Sequence, residues 1–332
     1  MKLYAPVYYN EFKCIADKCS HSCCIGWRVA LDDATKEKYE HAEGDYAKSM
    51  RENIEVDEEG TFIPTLRSGR CPHLDECGLC RIICEYGEGY LSDICREHPR
   101  FYNYTAERAE VGIGASCPEA ARLILSADYH IREIGVIADA DSEGDFYDSP
   151  ALRDEIYNEA DRVRGYAELR EWLLDRLNIP ASVLSKKLRT DSLSALEYLY
   201  DDNKALILSS AENDPPCDDK RLIRVLIYFI FRHLTEAVNE ADARARVGFA
   251  LFSAEAVATL STLTNDLAEA LRIYSEEIEY SPDNTESVLF DIENDKIKKH
   301  VRASSWRGRV LFICGEHPPP CGISGEIHRI RI

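Results

Sequence analysis

Cys14-Ile15-Ala16-Asp17-Lys18-Cys19-Ser20-His21-Ser22-Cys23-Cys24 opens a stretch that closes at Cys117 and holds ten of the 13 cysteines in this chain of 332 residues. Between its ends come Cys71, Cys77, Cys80, Cys84 and Cys95. Thiols at that density form either a disulfide framework or a thiolate cage for a metal, with inert buried thiols as the third reading. The choice decides how this third of the chain folds and most of what it can do.

Composition narrows the choice. With 45% apolar residues the chain can bury a core and fold without covalent staples. Met1-Lys2-Leu3-Tyr4-Ala5-Pro6 lacks the apolar run of a secretory signal, and the densest apolar stretch, 225–231, is too short to span a bilayer. The expected compartment is the cytoplasm, where thiols stay reduced and clustered cysteines serve as ligands or redox groups more readily than as bridges. A net charge of −20 repels phosphates and anionic lipid. Neither nucleic acid nor membrane is then a default partner, and a basic protein or peptide suits the surface better. Acidic runs such as Glu55-Val56-Asp57-Glu58-Glu59 read individually as solvated surface.

Local signals place the cysteines on elements. Residues 3–13 read as an extended lead-in, 27–31 as a short strand, and Asp32 or Asp33 as the N-cap of a helix through His41. The stretch 43–70, broken by Gly44, Gly60, Pro64 and Gly69, reads as a loop-rich excursion. Cys77-x2-Cys80 has the spacing of a metal knuckle, with Gly78 suited to its turn. Pro99 stops a helix carrying Cys95 beside Arg96 and Arg100, neighbours that favour a thiolate. Residues 107–113 read as a strand, and Ser116-Cys117-Pro118-Glu119 as a capping box that sets Cys117 on the positive end of a helix dipole. That position lowers a thiol pKa; the plain alternative is a small hydrophobe filling the first turn.

Beyond Glu119 the chain reads as helical, with apolar residues at three- and four-residue intervals over 151–177, 185–200, 220–238 and 241–274. The stretch 225–231 is apolar almost all round and hence central, while lone Cys217 is structural or exposed. The expected fold is mainly α. A small cysteine-rich α+β region takes residues 1–125, a helical bundle 126–300, and an atypical turn-rich tail 301–332. In the tail, Cys314, His317 and Cys321 suggest a further metal loop or a flexible end.

Phe12-x-Cys14-x4-Cys19-x3-Cys23-Cys24-x2-Trp27, Asp32-x2-Thr35, Cys71-Pro72-x-Leu74, Gly78-Leu79-Cys80, Leu91-x3-Cys95-x3-Pro99-Arg100 and Ser116-Cys117-Pro118-Glu119-Ala120-Ala121-Arg122 together resemble the flagellin lysine-N-methylase family. Tyr228-Phe229-Ile230-Phe231-Arg232 resembles that family's aromatic helix, and the turn 281–284 a later family element. The resemblance implies a cytoplasmic enzyme that binds an iron–sulfur cluster and methylates lysine side chains of flagellin with S-adenosylmethionine. It also implies a ligand set of Cys14, Cys19, Cys23, Cys24, Cys71, Cys80, Cys95 and Cys117, with Cys77 and Cys84 outside the pattern.

Spacing leaves the metal open. Four thiolates hold a zinc ion and four hold a four-iron cubane, so eight make two sites or one site with spare cysteines. Adjacent Cys23 and Cys24 do not comfortably share one metal, because successive side chains diverge. The resemblance favours an iron–sulfur cluster of the four-iron type, with zinc as the alternative. Cys19-x3-Cys23 runs straight into Cys24 and so lacks the third, spaced cysteine of radical S-adenosylmethionine enzymes; a cluster that acts would ligate or orient the cofactor.

For S-adenosylmethionine the candidate loop is Gly112-Ile113-Gly114, between a strand and a helix but without a repeated strand–helix–strand unit. Its bland reading is an ordinary strand end. Tyr102, Tyr104 and Trp27 are candidates for a slot that holds the sulfonium or the lysine stem by cation–π contact, with core packing as their ordinary role. Two readings without methyl transfer share the cysteine signal. One is a zinc- or iron-chelating module; the other is a redox- or metal-sensing interaction protein whose helical half binds a partner.

Overall fold

The computed structural model describes residues 1–58, 60–105, 108–126, 128–137 and 149–304, with side chains as far as residue 294. Its strands are β1 (Lys2–Pro6), β2 (Val29–Ala30), β3 (Glu55–Asp57), β4 (Gly60–Ile63), β5 (Arg100–Tyr104), β6 (Arg108–Ile113) and β7 (Ile131–Val136). Short helices α1 (Asp33–His41), α2 (Ala47–Glu52), α3 (Arg81–Tyr86) and α4 (Asp93–Glu97) lie between β2 and β5. The helical body follows as α5 (Pro118–Ser126), α6 (Ser149–Arg162), α7 (Tyr166–Arg176), α8 (Lys186–Ser194), α9 (Asp201–Ser210), α10 (Leu222–His233), α11 (Glu240–Thr264), α12 (Leu267–Tyr274) and α13 (Pro282–Ser304). The fold is mainly α, as the helical periodicity indicates.

Two sheets form. β1 lies inside a mixed sheet of order β5-β6-β1-β7, parallel to β6 and antiparallel to β7. The second sheet is a small antiparallel β2-β4-β3. Residues 7–99 therefore leave the first sheet after β1 and return to it at β5, one excursion that carries nearly all the clustered cysteines.

Apolar packing makes two separate clusters. The larger joins the inner faces of α5 to α13 with Tyr8, Phe101 and Ile113. Within it α10 is buried almost all round over 225–231, and α11 packs against α9, α10, α12 and α13. The smaller cluster belongs to the excursion: Val29, Leu31, Tyr39, Tyr46, Met50, Ile63 and Ile82 are buried together, with Cys71, Cys80 and Cys95 half-buried against them. The expected boundary at 125–126 falls at the end of α5, whose Ala120, Leu123 and Ile124 sit in the larger cluster. Packing draws its own line around the excursion instead.

Several local readings hold. Asp32 caps α1, its Oδ1 accepting from Thr35 N–H at 2.9 Å, and α4 ends just before Pro99. Others differ. Residues 43–70 are not loop-rich throughout: α2 buries Ala47 and Met50, and β3 and β4 pair. Two apolar anchors among charged neighbours gave α2 too little periodicity to read. β7 falls where the chain reads as helical, with only Ile131 and Ile134 partly buried. What makes it a strand is the open backbone edge of β1, to which it bonds.

α11 is the one helix among the described residues long and apolar enough to cross a membrane, and 78% of its most apolar window is buried inside the protein. A core helix meets the same length and composition. The turn-rich segment with Cys314, His317 and Cys321 lies outside the described residues.

One buried ion pair ties α6 to β6. Arg153 forks onto Glu110, Nη1 to Oε2 at 2.5 Å and Nη2 to Oε1 at 2.6 Å, with side-chain exposures of 1% and 0%. Breaking such a pair strands a charge in low dielectric. Arg153→Ala is expected to cost about 3–5 kcal/mol in denaturant unfolding, whereas replacing both residues by apolar ones of similar volume costs far less. Equal costs for the single and double replacements would show that the pair is not what fixes this contact.

Candidate metal and catalytic site

Backbone pairing brings the two cysteine groups together. Cys71 N–H donates to the Cys24 carbonyl at 2.8 Å, and Gly26 N–H to the Gly69 carbonyl at 2.8 Å, on either side of an isolated Ile25–Arg70 bridge. Cys24 and Cys71 thus stand on adjacent extended segments. A tight turn then returns Cys80, which bridges Leu74. Asp75 Oδ1 accepts from the N–H groups of Cys77 at 2.9 Å and Leu79 at 2.8 Å, and Gly78 takes the positive φ of 81° that favours glycine. The knuckle turn is therefore real. It leaves Cys77 exposed while Cys80 turns back onto the smaller cluster, and Cys84 is exposed as well.

Electrostatics links the thiols across the two cysteine groups, and Cys19 feels both Cys14 and Cys24. Cys71, Cys80 and Cys95 each feel the charge of Cys24. Cys117 feels Cys19 and Cys14 instead. Cys23 feels Cys24, to which its thiol is hydrogen-bonded, so these adjacent side chains meet rather than diverge as expected; it then feels Cys14 and Cys95.

Burial governs their acidity, and this corrects the expectation for Cys117. Its pKa is pushed up to about 11 by desolvation, although N–H groups of Ala120 and Glu119 in the first turn of α5 bond the sulfur and pull the other way. Glu119 is engaged by Arg122, Oε2 to Nε at 2.8 Å and Oε1 to Nη2 at 2.6 Å. Cys95 is pushed up to about 12, also by burial. Arg96 is drawn to Asp93, and Arg100 lies over the rings of Tyr9 and Phe12, so the two cations expected to favour its thiolate are turned elsewhere. Cys24 differs: the bond from Cys23 outweighs burial and, with Ser22 and Arg70, lowers it to about 7. Without a metal, most of these thiols keep their protons at neutral pH, and binding an ion would release them.

The described cysteines are all free of disulfides. Among the described residues, no three His, Cys, Asp or Glu side chains already stand together closely enough to hold an ion. The donors suit a thiophilic metal in kind, and ligation would have to draw the loops in rather than fill a finished cage.

Beside Cys117 lies a polar centre of which the sequence carries almost no sign. After α12 the chain makes one turn of π-helix, Ser275–Glu279. Glu279 is buried and receives four partners: Tyr228 Oη at 2.7 Å, Ser275 Oγ at 2.5 Å, His233 Nε2 at 3.0 Å and Arg232 Nε at 3.3 Å. Tyr228 Oη also accepts from Ala115 N–H at 2.9 Å, two residues before Cys117. Arg232 is flanked by the rings of Phe101 and Tyr280, each 4.5 Å from its guanidinium carbon. Three residues earlier in the same turn, Glu276 meets His21 of the first cysteine loop at 2.5 Å and Arg272 at 2.9 Å. The only sequence hints were the two short resemblances at 228–232 and 281–284, which the fold places on either side of this centre.

The same centre accounts for the candidate glycine loop. A Cβ on Gly114 would stand 1.8 Å from Tyr280 Oη, and one on Gly112 2.3 Å from the Phe101 ring. Close packing, rather than an open cradle, requires both glycines. The three candidate aromatic residues are not gathered into one slot: Trp27 packs on the smaller cluster and donates to the Cys23 carbonyl at 2.9 Å, while Tyr102 and Tyr104 are exposed on edge strand β5.

Comparison with known proteins finds relatives that match part of the chain. The flagellar biosynthetic protein FliU of Salmonella muenchen is 29% identical over 127 residues, 36% of this chain and 75% of that protein. The lysine-N-methylases of Salmonella typhimurium and Salmonella choleraesuis are each 27% identical over 127 residues, which cover 36% of this chain and 32% of theirs. The chain thus spans three quarters of the first relative and about a third of the other two. No family model and no solved structure matches it.

Glu279 gives the centre a pH signature. Burial alone would raise its pKa, but the Arg232 charge and the bonds from His233 and Ser275 outweigh burial and hold the carboxyl below its ordinary range. A depressed acid stabilises the fold fully above its unfolded pKa, and that stability is lost as pH falls through the folded value. Glu279→Gln is expected to lower stability at neutral pH and to flatten the decline on acidification, followed by denaturant midpoints across acid pH. A variant as acid-sensitive as the parent would place that sensitivity in other carboxylates.

Proposed function

We propose, from the premise that this chain is a member of the lysine-N-methylase family, that it is a protein lysine methyltransferase acting on flagellin with S-adenosylmethionine as donor. The likeness to proteins of that name carries the reading; the flagellar name of the first relative supports the substrate. The reaction needs no protein nucleophile. The lone pair of a neutral lysine amine forms the new N–C bond, the S–C bond of the sulfonium breaks, and the amine proton leaves to a base or to water.

The chain's own part is then to desolvate the amine and hold it in line with the sulfonium methyl. Glu279 has its four partners already, so its role in this reading is to position Tyr228 and Arg232 rather than to take the proton. An iron–sulfur cluster would be held by cysteines from the set Cys14, Cys19, Cys23, Cys24, Cys71, Cys80, Cys95 and Cys117, with zinc as the alternative occupant. When bound, such a cluster would supply a redox-capable centre that braces the loops and orients the cofactor.

Coexpression with flagellin followed by mass spectrometry tests the proposal. Methylated lysines are expected only when this chain is present, and the chain purified without oxygen is expected to be brown, with iron and acid-labile sulfide. Flagellin unmodified beside folded, metal-loaded protein would overturn the methylase reading, and a colourless protein with stoichiometric zinc the cluster.

A further inference from the structure

We propose that the open edge of β5 receives an extended, lysine-bearing segment of the substrate protein, which adds to the mixed sheet as a further strand. This rests on the protein-methylase reading and goes beyond it by giving the substrate backbone a docking site.

β5 ends its sheet, with β6 as its one neighbour. The register sets Arg100 opposite Ile113 and Tyr104 opposite Ala109. Two flanking bonds, Gly114 N–H to the Pro99 carbonyl at 2.7 Å and Thr105 N–H to the Arg108 carbonyl at 2.9 Å, fix the phase of the ladder. In an antiparallel pair, bonded and non-bonded residues alternate. Phe101 and Asn103 therefore direct their backbone groups to β6, while the N–H and C=O of Tyr102 and Tyr104 point out along the edge. Among the described residues none bonds to these outward groups.

Natural edges are blunted by lysine, proline, bulges or cover. β5 contains neither lysine nor proline, and its register with β6 runs without a shift. Its one charged residue, Arg100, is turned onto Tyr9, whose hydroxyl its Nε meets at 3.1 Å. The edge is also held from behind: Asn103 Nδ2 donates to the Phe231 and Arg232 carbonyls at 3.2 and 3.1 Å, and Phe101 packs on Phe231. A regular, preformed edge is what strand addition uses, with backbone bonds giving affinity and alternate side chains specificity.

Charge and position choose the occupant. A second copy would bring another net charge of −20 against the first, whereas a lysine-bearing segment is drawn in. Tyr102 and Tyr104 offer two exposed rings on one face of the strand, and Glu97 stands beside them, accepting from Tyr102 Oη at 3.0 Å. Lysine stems and ammonium groups suit such rings. The other face of the strand carries Phe101, whose ring lies 4.5 Å from the Arg232 guanidinium carbon, so a docked segment runs one strand away from the Glu279 centre.

Hydrogen exchange of the full chain, resolved to single residues by mass spectrometry, tests the docking with a synthetic peptide of alternating lysine and threonine. Exchange at the Tyr102 and Tyr104 amides is expected to slow when the peptide is added, and not when glutamate replaces its lysines. Tyr102→Pro removes an edge N–H that β6 does not use, so the sheet is kept, and peptide affinity read by fluorescence anisotropy should fall about tenfold. Tyr102→Thr, which keeps the N–H, should lose less. No slowing at these amides in the unsubstituted chain, with the peptide bound elsewhere or not at all, would overturn the proposal whether or not the proline variant folds, and would leave the methylase reading intact. Slowing caused by raising the chain's own concentration, without peptide, would overturn it in favour of a second copy. Slowing by the lysine peptide, beside flagellin that stays unmethylated, would support the edge as a peptide site and remove the methylase reading.

Discussion

A buried carboxylate, that of Glu279, sets the terms for the joint of this molecule. Out of water it must be met by donors and a cation, because an isolated charge in that position costs several kcal/mol. Its four partners come from α10 and from its own π turn, which fixes these two segments against each other. The constraint then spreads. Tyr228 passes it to Ala115 and the start of α5, while Arg232 passes it to Phe101 and Tyr280, and their rings press on Gly112 and Gly114. A π turn is less regular than an α turn, and such turns gather at functional positions.

The helical body is thus more than support for the cysteine region. It positions Cys117, and through Glu276 and His21 it touches the loop between Cys19 and Cys23. Two apolar clusters with a polar seam between them allow the excursion to keep its own small core while depending on the body for its orientation. Protonated, half-buried thiols at that seam suit a metal that displaces protons as it binds, which makes ligation and closure one event.

What the sequence disclosed follows from how local each signal is. The Asp32 cap, the Gly78 turn, the stop at Pro99 and the all-round burial of α10 depend on neighbours within a few residues, and each was legible. β7 depends on β1, more than 120 residues away, and Glu279 on partners from α10; no local pattern encodes either. The acidity of Cys95 and Cys117 was misjudged for a related reason. Nearby arginines and a helix start are visible in sequence, but burial is a property of the whole fold, and here it outweighs both. The eight thiols themselves were plain, whereas the approach of the two cysteine groups needed the backbone pairing at Cys24 and Cys71.

X-ray absorption at the metal edge of the anaerobically purified chain tests the thiolate cage most directly. The account requires a first shell made of sulfur alone, at about 2.3 Å for either metal. A shell containing nitrogen or oxygen ligands from the protein would contradict it.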